Sequence, residues 1–218
     1  MITSQEVGQT KAIDVETRAR QSQGISNSAI YEMVARAIAQ RHCGGGVFVD
    51  VGCGAGNLRS FVSGESSDGI SEAARRAGYC CDRYIDAVRY DSFPADAEFL
   101  RLDLDSGKVP LADGFADVVC VVETIDHLEN PRAFMRELVR LTKPGGWVIV
   151  TTPNQLSLLS KLTLVLKNQL SAFQEAPGLY PAHITALLEI DLIRIAKECG
   201  LTDINTDYIN QGRIPFTP

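Results

Sequence analysis

A glycine-rich loop follows a short apolar run in the first quarter of the chain. The run Val47–Val51 is rich in valine, and residues 50–56 read DVGCGAG. Glycine has no Cβ, so a ligand can come close to such a backbone. A helix beginning near Asn57 would add free N–H groups and the positive end of its dipole. The pattern therefore favours a binding site for a small molecule rather than a merely tight turn.

Further polar residues follow the ends of other apolar runs. Glu123 and His127 lie in ETIDHLENP, directly after a long run of valines, and His183 follows Pro181. A carboxylate or an imidazole is the usual group that takes a proton from an attacking oxygen or nitrogen. Glu123, His127 and His183 are therefore the candidate catalytic residues. His127 could equally be a structural histidine that holds its loop, and His183 fits a loop brace better than a base.

These residues need an alternating framework to bring them together. The predicted strands are 47–51, 97–102, 116–123 and 147–152, with a last strand at 203–209. The predicted helices begin near 28 and 57 and cover 71–77, 131–143 and 185–199. Strands that alternate with helices are typical of a parallel sheet with helices on both faces. We therefore expect a single α/β domain over residues 1–218, with a doubly wound, Rossmann-like and mostly parallel sheet.

Five segments in this order resemble class I S-adenosylmethionine (SAM)-dependent methyltransferases, in particular the ubiquinone-biosynthesis-like group. They are VDVGCGAGN at the glycine loop, LRLDLD at 100–105, and the longer stretches 109–131, 138–154 and 180–201. Any one alone is weak evidence, and the combination is specific. A nicotinamide site is disfavoured because its fingerprint requires glycine where this chain has Asn57.

The resemblance implies SAM as cofactor and assigns residues to it. The implied cofactor residues are Asp50, Gly52, Cys53, Gly54, Gly56, Asp103, Leu104 and Glu123. In this assignment the loop lines the methionine and ribose portions and Asp50 supports it. Asp103 meets the adenine amino group, and Glu123 lies beside the methionine. The alternative for Asp50 and Asp103 is an ordinary role in bracing a loop or turn.

A carboxylate should also hold the ribose hydroxyls at the end of the second strand. Asp68, Asp82 and Asp86 compete for this role. Asp68 follows a stretch too polar for a buried strand. We favour Asp82 over Asp86, because a strand ending at Asp86 would carry Asp82 and Arg83 inside the sheet, at a cost unless both are paired. All three could also be solvated loop acids.

The resulting functional expectation is methyl transfer from SAM to an oxygen or nitrogen of a small, hydrophobic acceptor. A non-catalytic SAM-binding protein on the same fold is the alternative, since fold alone does not separate the two. The formal net charge is −6 without a basic run, which disfavours nucleic acid. The six cysteines form no CxxC pair and no zinc-type spacing, so no metal site is expected. No stretch looks long enough to span a membrane, and we expect a cytoplasmic protein.

Three segments lie outside this framework. Residues 1–27 are expected to form a loose extension. Residues 155–182 form a helical insertion whose apolar stretch Leu156–Leu170 is either core-facing or a lid over the acceptor, with membrane docking a distant third. Pro215 and Pro218 argue against a last antiparallel strand, which would leave a sheet edge open to a second copy in a homodimer.

Overall fold

The computed structural model describes residues 15–41, 45–62, 79–93, 95, 97–106, 108–175 and 179–209. A five-stranded parallel sheet has the order β3-β2-β1-β4-β5. The strands are β1 (Gly46–Val51), β2 (Tyr79–Asp86), β3 (Phe99–Arg101), β4 (Ala116–Val121) and β5 (Thr142–Val150). The helices are α1 (Val15–Gln21), α2 (Ser28–Arg41), α3 (Leu58–Val62), α4 (Pro131–Leu141), α5 (Leu158–Lys167) and α6 (Glu189–Glu198), with 3-10 turns at Ile125–His127 and Ser171–Phe173.

The sheet buries both faces because successive side chains of a strand point to opposite sides. On one face the valines of β1 and β4 pack with α4 and α6, as in the cluster of Val49, Val119 and Leu138. On the other face Phe48 and Val118 pack with α2 and α3. The predicted doubly wound α/β fold is confirmed. The carboxyl ends of the strands share one edge, where ligands bind in such folds.

The register predicted for the second strand is wrong. β2 continues to Asp86 and pairs with β1 through Asp50–Tyr84 and Val51–Ile85. Tyr84 and Ile85 are fully buried, so extending the strand gains apolar burial. The free-energy cost of placing the charged Arg83 in the strand is offset, because Arg83 forms an ion pair with Glu98. Asp82 therefore lies within the strand and Asp86 ends it, whereas Asp68 and the predicted helix 71–77 lie outside the described residues.

The expectation of a loose N-terminal extension is wrong for residues 15–27. They form α1 and a loop over the glycine loop, and the Arg18 guanidinium is buried against Asp105 at 2.9 Å. The Tyr90 hydroxyl donates to the Ala19 carbonyl at 2.6 Å. Gly24 contributes its carbonyl to the N–H of Ala55 at 2.9 Å. These polar contacts join residues that are distant in the sequence. A local hydrophobic pattern therefore does not predict them. Residues 1–14 lie outside the described part.

The predicted strand at 203–209 is also absent from the described residues. Its polar side chains turn to α6 instead: Thr206 and Tyr208 donate to the Glu189 carboxylate at 2.7 and 2.5 Å. Asp203 has a φ of +50°, which extended strands do not adopt. As described up to residue 209, the sheet therefore ends at β5.

The apolar helix of the insertion is exposed rather than part of the core. Val165, Leu166 and Leu158 of α5 are 83%, 79% and 72% exposed. The segment is connected to the histidine region by its end, because Ser171 donates from its N–H to Ser160 Oγ at 3.3 Å and the Ala172 carbonyl lies 2.9 Å from His183 Nδ1. A core-facing role is therefore wrong for the exposed stripe.

Candidate active site

The glycine loop joins the carboxyl ends of β1 and β2. The N–H groups of Gly52 and Cys53 donate to the Ile85 carbonyl at 2.7 and 3.3 Å, and that of Gly54 donates to Asp86 Oδ2 at 2.8 Å. Gly52 and Gly54 have φ values of +75° and +52°. A Cβ on Gly54 would meet the Gly24 carbonyl, and one on Gly52 would meet the Thr124 side chain. The loop is therefore held tightly between two neighbouring segments.

One cavity connects this loop with both candidate histidines. It has a volume of about 310 Å³, at the low end for small-molecule sites. From the predicted set it is lined by Asp50, Gly52, Cys53, Gly54, Asp86, Leu104, Glu123, His127 and His183. The structure thus brings together residues from β1, β2, the loop after β3, the loop after β4 and the segment before α6.

Among the described side chains, the predicted cofactor residues Asp103 and Gly56 do not line the cavity. The Asp103 carboxylate accepts the N–H of Asp105 at 2.9 Å, as a turn residue does. Gly56 closes the glycine loop through its N–H and the Cys53 carbonyl at 2.9 Å. Asp82 lies inside β2. The strand-end carboxylate that lines the cavity is Asp86.

The histidine side of the cavity is built on Asp126. Asp126 Oδ2 lies 3.5 Å from His183 Nε2 and 4.0 Å from His127 Nε2, and the two imidazole rings have centroids 4.8 Å apart. The backbone carbonyl of Asp126 accepts the N–H groups of Ile184 and Thr185 at 3.0 and 2.9 Å. Those bonds position His183 beside the loop that follows β4.

Comparison with known proteins identifies the family. A methyltransferase-domain family model matches residues 28–206, which is most of the chain. The chain belongs to this methyltransferase family. SAM is the methyl donor of such domains.

Individual relatives share the family at modest identity. A Mycolicibacterium smegmatis protein named as a probable S-adenosylmethionine-dependent methyltransferase is 30% identical over 133 residues, 58% of this chain and 45% of its own. The ubiquinone biosynthesis O-methyltransferase of Burkholderia pseudomallei is 28% identical over 168 residues, 75% of this chain and 67% of its own. The chain thus spans about half to two thirds of the length of these relatives.

A solved structure shows the same fold. The SAM-dependent methyltransferase of Archaeoglobus fulgidus has a TM-score of 0.57 at 16% identity, over 84% of this chain and 73% of its own. Within the described part of this methyltransferase domain, every helix is too short or too polar to cross a bilayer.

The methyltransferase domain has two buried carboxyl groups beside its glycine loop. Burial raises the pKa of Asp50 to about 8, and the neighbouring Asp86 adds to the effect. Burial also raises the pKa of Asp86, although the N–H groups of Gly54, Val88 and Ala87 oppose it. Among the described residues, Asp50 Oδ2 is buried without a hydrogen-bond partner. These acids can receive hydroxyl or ammonium groups from a ligand.

Replacing Asp50 with asparagine should stabilise the ligand-free protein at pH 8. With a folded pKa of about 8 against an ordinary 3.8, the folded state holds a proton that the unfolded state releases, so stability falls as pH rises through that interval. Asparagine removes this loss, which grows by about 1.4 kcal/mol per pH unit between the two pKa values, so the gain is several kcal/mol larger at pH 8 than at pH 5. Urea unfolding at both pH values measures it, with the exposed Asp91→Asn as control. An equal gain at both pH values would contradict the assignment.

Burial also shifts the pKa values of three groups at the histidine side of the cavity. Burial raises the pKa of Glu123 to about 8, and nearby Asp126 contributes. Burial lowers the pKa of His127 to about 3, with His183 and Arg18 adding to the effect. His127 is therefore a neutral imidazole at physiological pH. Burial also raises the pKa of Asp126, and His183 opposes this rise.

Sequence reasoning missed two residues of this region. Asp126 is one of them, and the signal that could have found it is an acid next to a histidine after a strand end. Arg18 lines the cavity from α1, a segment without clear periodicity. Its burial depends on Asp105 and Glu129, which lie far away along the chain.

Proposed function

We propose that this methyltransferase domain transfers the SAM methyl group to a hydroxyl oxygen of a small acceptor with an apolar body. The observation that carries the proposal is the single cavity, which runs from Gly52–Gly54 and Asp86 to His127 and His183. Donor and acceptor can therefore meet in one cleft. The names of the ubiquinone biosynthesis O-methyltransferases among the relatives support oxygen as the nucleophile.

In this proposal the cofactor lies across the glycine loop. The Asp86 carboxylate receives the ribose hydroxyls, Leu104 packs against the adenine, and Asp50 and Glu123 face the methionine portion. The support is their position on the cavity wall and the acceptor capacity of the buried carboxyl groups. Asp103 and Asp82 have no part in it.

The acceptor end combines apolar and polar groups. Ile25, Ile30, Leu128 and Leu179 line the cavity and suit an aromatic or aliphatic body. Glu123, His127 and His183 are the groups proposed to orient the hydroxyl and relieve it of its proton. As the oxygen–carbon bond forms, the carbon–sulfur bond breaks and its electron pair stays on sulfur, giving a methyl ether and S-adenosylhomocysteine. Because the methyl is already activated, alignment and exclusion of water are the main tasks of the protein.

The choice of oxygen over nitrogen is testable with matched acceptors. A phenol and the aniline of the same carbon skeleton compete for SAM carrying a ¹³C-methyl group, and the carbon chemical shift distinguishes the two products. We expect the ether to dominate by ~10-fold or more, a difference of about 1.4 kcal/mol in the barrier. Equal or preferred N-methylation would overturn the choice of nucleophile and leave the family assignment intact.

The insertion is proposed to cover the acceptor. The imidazole of His183 is held by the Ala172 carbonyl and lies 5.6 Å from the Phe173 ring, centroid to centroid, so the turn Ser171–Phe173 that follows α5 reaches this end of the cavity. The exposed apolar stripe of α5 would then shield an acceptor rather than SAM.

Leu162→Asp should raise the acceptor KM by ~5-fold and leave the SAM affinity unchanged. Leu162 is 45% exposed, so a carboxylate can stay in water and the fold survives, whereas about 1 kcal/mol of apolar contact with the acceptor is lost. Ile190→Asp, at 46% exposure on α6, is the matched control. Steady-state kinetics and calorimetry measure the two quantities. A parallel loss of SAM binding would show that the stripe supports the cofactor end instead.

The proposal also includes a free small molecule as acceptor, a cytoplasmic location and a homodimer. For the dimer, the supporting feature is the edge position of β5, which pairs only with β4 among the described residues. An open strand edge carries unpaired N–H and carbonyl groups that can accept another strand.

A further inference from the structure

The triad Asp126, His127 and His183 contains a buried carboxylate without a hydrogen bond. Asp126 is fully buried, and among the described residues neither of its oxygens has a hydrogen-bond partner with good geometry, although the nearby Thr152 hydroxyl lowers its pKa. A buried carboxylate is costly unless it is paired or bound to a cation. The charge of Asp126 therefore needs a partner that the neighbouring side chains do not supply by hydrogen bonding.

The orientation of His183 restricts what that partner can be. Its Nδ1 lies 2.9 Å from the Ala172 carbonyl, which can only accept, so Nδ1 carries the hydrogen. In the neutral ring, Nε2 then presents a lone pair, and this atom lies 3.5 Å from Asp126 Oδ2. Two acceptor atoms that face each other in a buried place need a positive charge between them, either a proton or a metal ion.

A third donor atom favours the metal ion. His127 Nε2 lies 4.0 Å from the same carboxylate oxygen, and the donor atoms of the three residues all lie within 4.8 Å of one another. A tetrahedral ion with bonds of about 2.0–2.2 Å separates its ligand atoms by roughly 3.4 Å. A proton shared by Asp126 and His183 would leave the donor atom of His127 without a role. A metal ion can bind the donor atoms of all three residues after small side-chain movements.

We propose that Asp126, His127 and His183 bind one divalent transition-metal ion of the zinc type, with a fourth position open to the cavity. His127 and His183 line the cavity, so the open position faces the acceptor. The hydrogen bond that fixes the His183 ring is of the kind that orients histidine ligands in metal sites. Sequence spacing does not predict the site, because His183 meets Asp126 only through the bonds of residues 184 and 185 to the Asp126 carbonyl.

The role proposed for the ion rests on the proposed function. With His127 and His183 as ligands, the ion replaces them as the group that activates the acceptor: the hydroxyl would bind at the open position and lose its proton to solvent, since a bound cation lowers the pKa of an oxygen ligand. The oxygen then forms its bond to the methyl carbon while the carbon–sulfur bond breaks toward sulfur. The ion keeps its oxidation state, and the products are the ether, S-adenosylhomocysteine and one proton.

The test is metal binding by the full chain in the absence of SAM and acceptor. The protein is stripped with a chelator, freed of it, and titrated with Zn²⁺ by calorimetry and with Co²⁺ by visible absorption. We expect one ion per chain and the visible bands of tetrahedral Co²⁺. Asp126→Asn, His127→Gln and His183→Gln should each weaken Zn²⁺ binding by ~100-fold or more, beyond the loss typical of outer-shell partners. His42→Gln, at the only other histidine, should not.

The same experiment contains the results that would overturn the proposal. Absence of binding, or binding that the three substitutions leave unchanged, removes the site. Thiolate-to-cobalt bands in the near ultraviolet would place the ion on cysteines instead. If Asp126→Asn fails to fold, His127→Gln carries the test, because that side chain is partly exposed. Full methyl transfer by metal-free protein overturns the role of the ion and leaves the proposed function standing. If the protein binds zinc as predicted but transfers no methyl group, the metal site stands and the proposed function is overturned.

Discussion

Replacing Gly54 with valine should abolish SAM binding while the protein still folds. Gly54 has a φ of +52°, and a Cβ there would meet the Gly24 carbonyl from the loop after α1. Either the glycine loop or the loop after α1 must move, and both line the cavity. The N–H of Gly54 would also leave Asp86 Oδ2. We expect the SAM dissociation constant to rise by ~100-fold or more, about 2.7 kcal/mol, as measured by calorimetry.

Gly200→Val provides the matched control for this substitution. Gly200 has a φ of +86° and open space where its Cβ would be. Valine at this position pays the same kind of free-energy penalty for a left-handed backbone conformation, but it does not contact the site. The control should lose some thermal stability and keep its SAM affinity. Normal SAM binding by a folded Gly54→Val protein would refute the placement of the cofactor.

Asp86→Ala should weaken SAM binding by about 1–3 kcal/mol, or roughly 5- to 150-fold. The reason is that two ribose hydroxyls would lose their acceptor and the Gly54 N–H its partner, at a position that is 9% exposed. Asp82→Ala, four residues earlier in β2, is the control and should bind SAM normally. Calorimetry on both variants decides between them, with circular dichroism as a check of folding. Weakened binding by Asp82→Ala alone would mean that β2 has a different register from the one described.

The sequence predicted the framework because that framework depends on local patterns. The valine-rich run 47–51 and the glycine loop correspond closely to β1 and the turn that follows it. The amphipathic helix 131–143 corresponds to α4, Pro131–Leu141. Alternation of strands and helices was enough to indicate a parallel sheet. It was also enough to put the ends of β1, β2 and β4 at one edge.

The errors arose where distant residues compensate a local cost. Local sequence disfavours a strand that ends at Asp86, because it would carry the Arg83 charge, but Glu98, just before β3, pairs with Arg83. Helix α1, which contains Arg18, lacks a clear apolar pattern because Arg18 is held by the remote residues Asp105 and Glu129. The alternating stretch 203–209 indicated a strand, whereas its hydroxyl groups bind Glu189 instead. No local pattern reports such partners.

Methyl transfer by this cavity is tested most directly by following the methyl group. The protein is incubated with methyl-labelled SAM and a mixture of small phenols and alcohols, and both products are quantified. We expect a labelled methyl ether and an equal amount of S-adenosylhomocysteine, with both lost in Gly54→Val. SAM that binds tightly while the label stays on sulfur, or is released only as methanol by hydrolysis, would contradict the claim that this cavity performs methyl transfer.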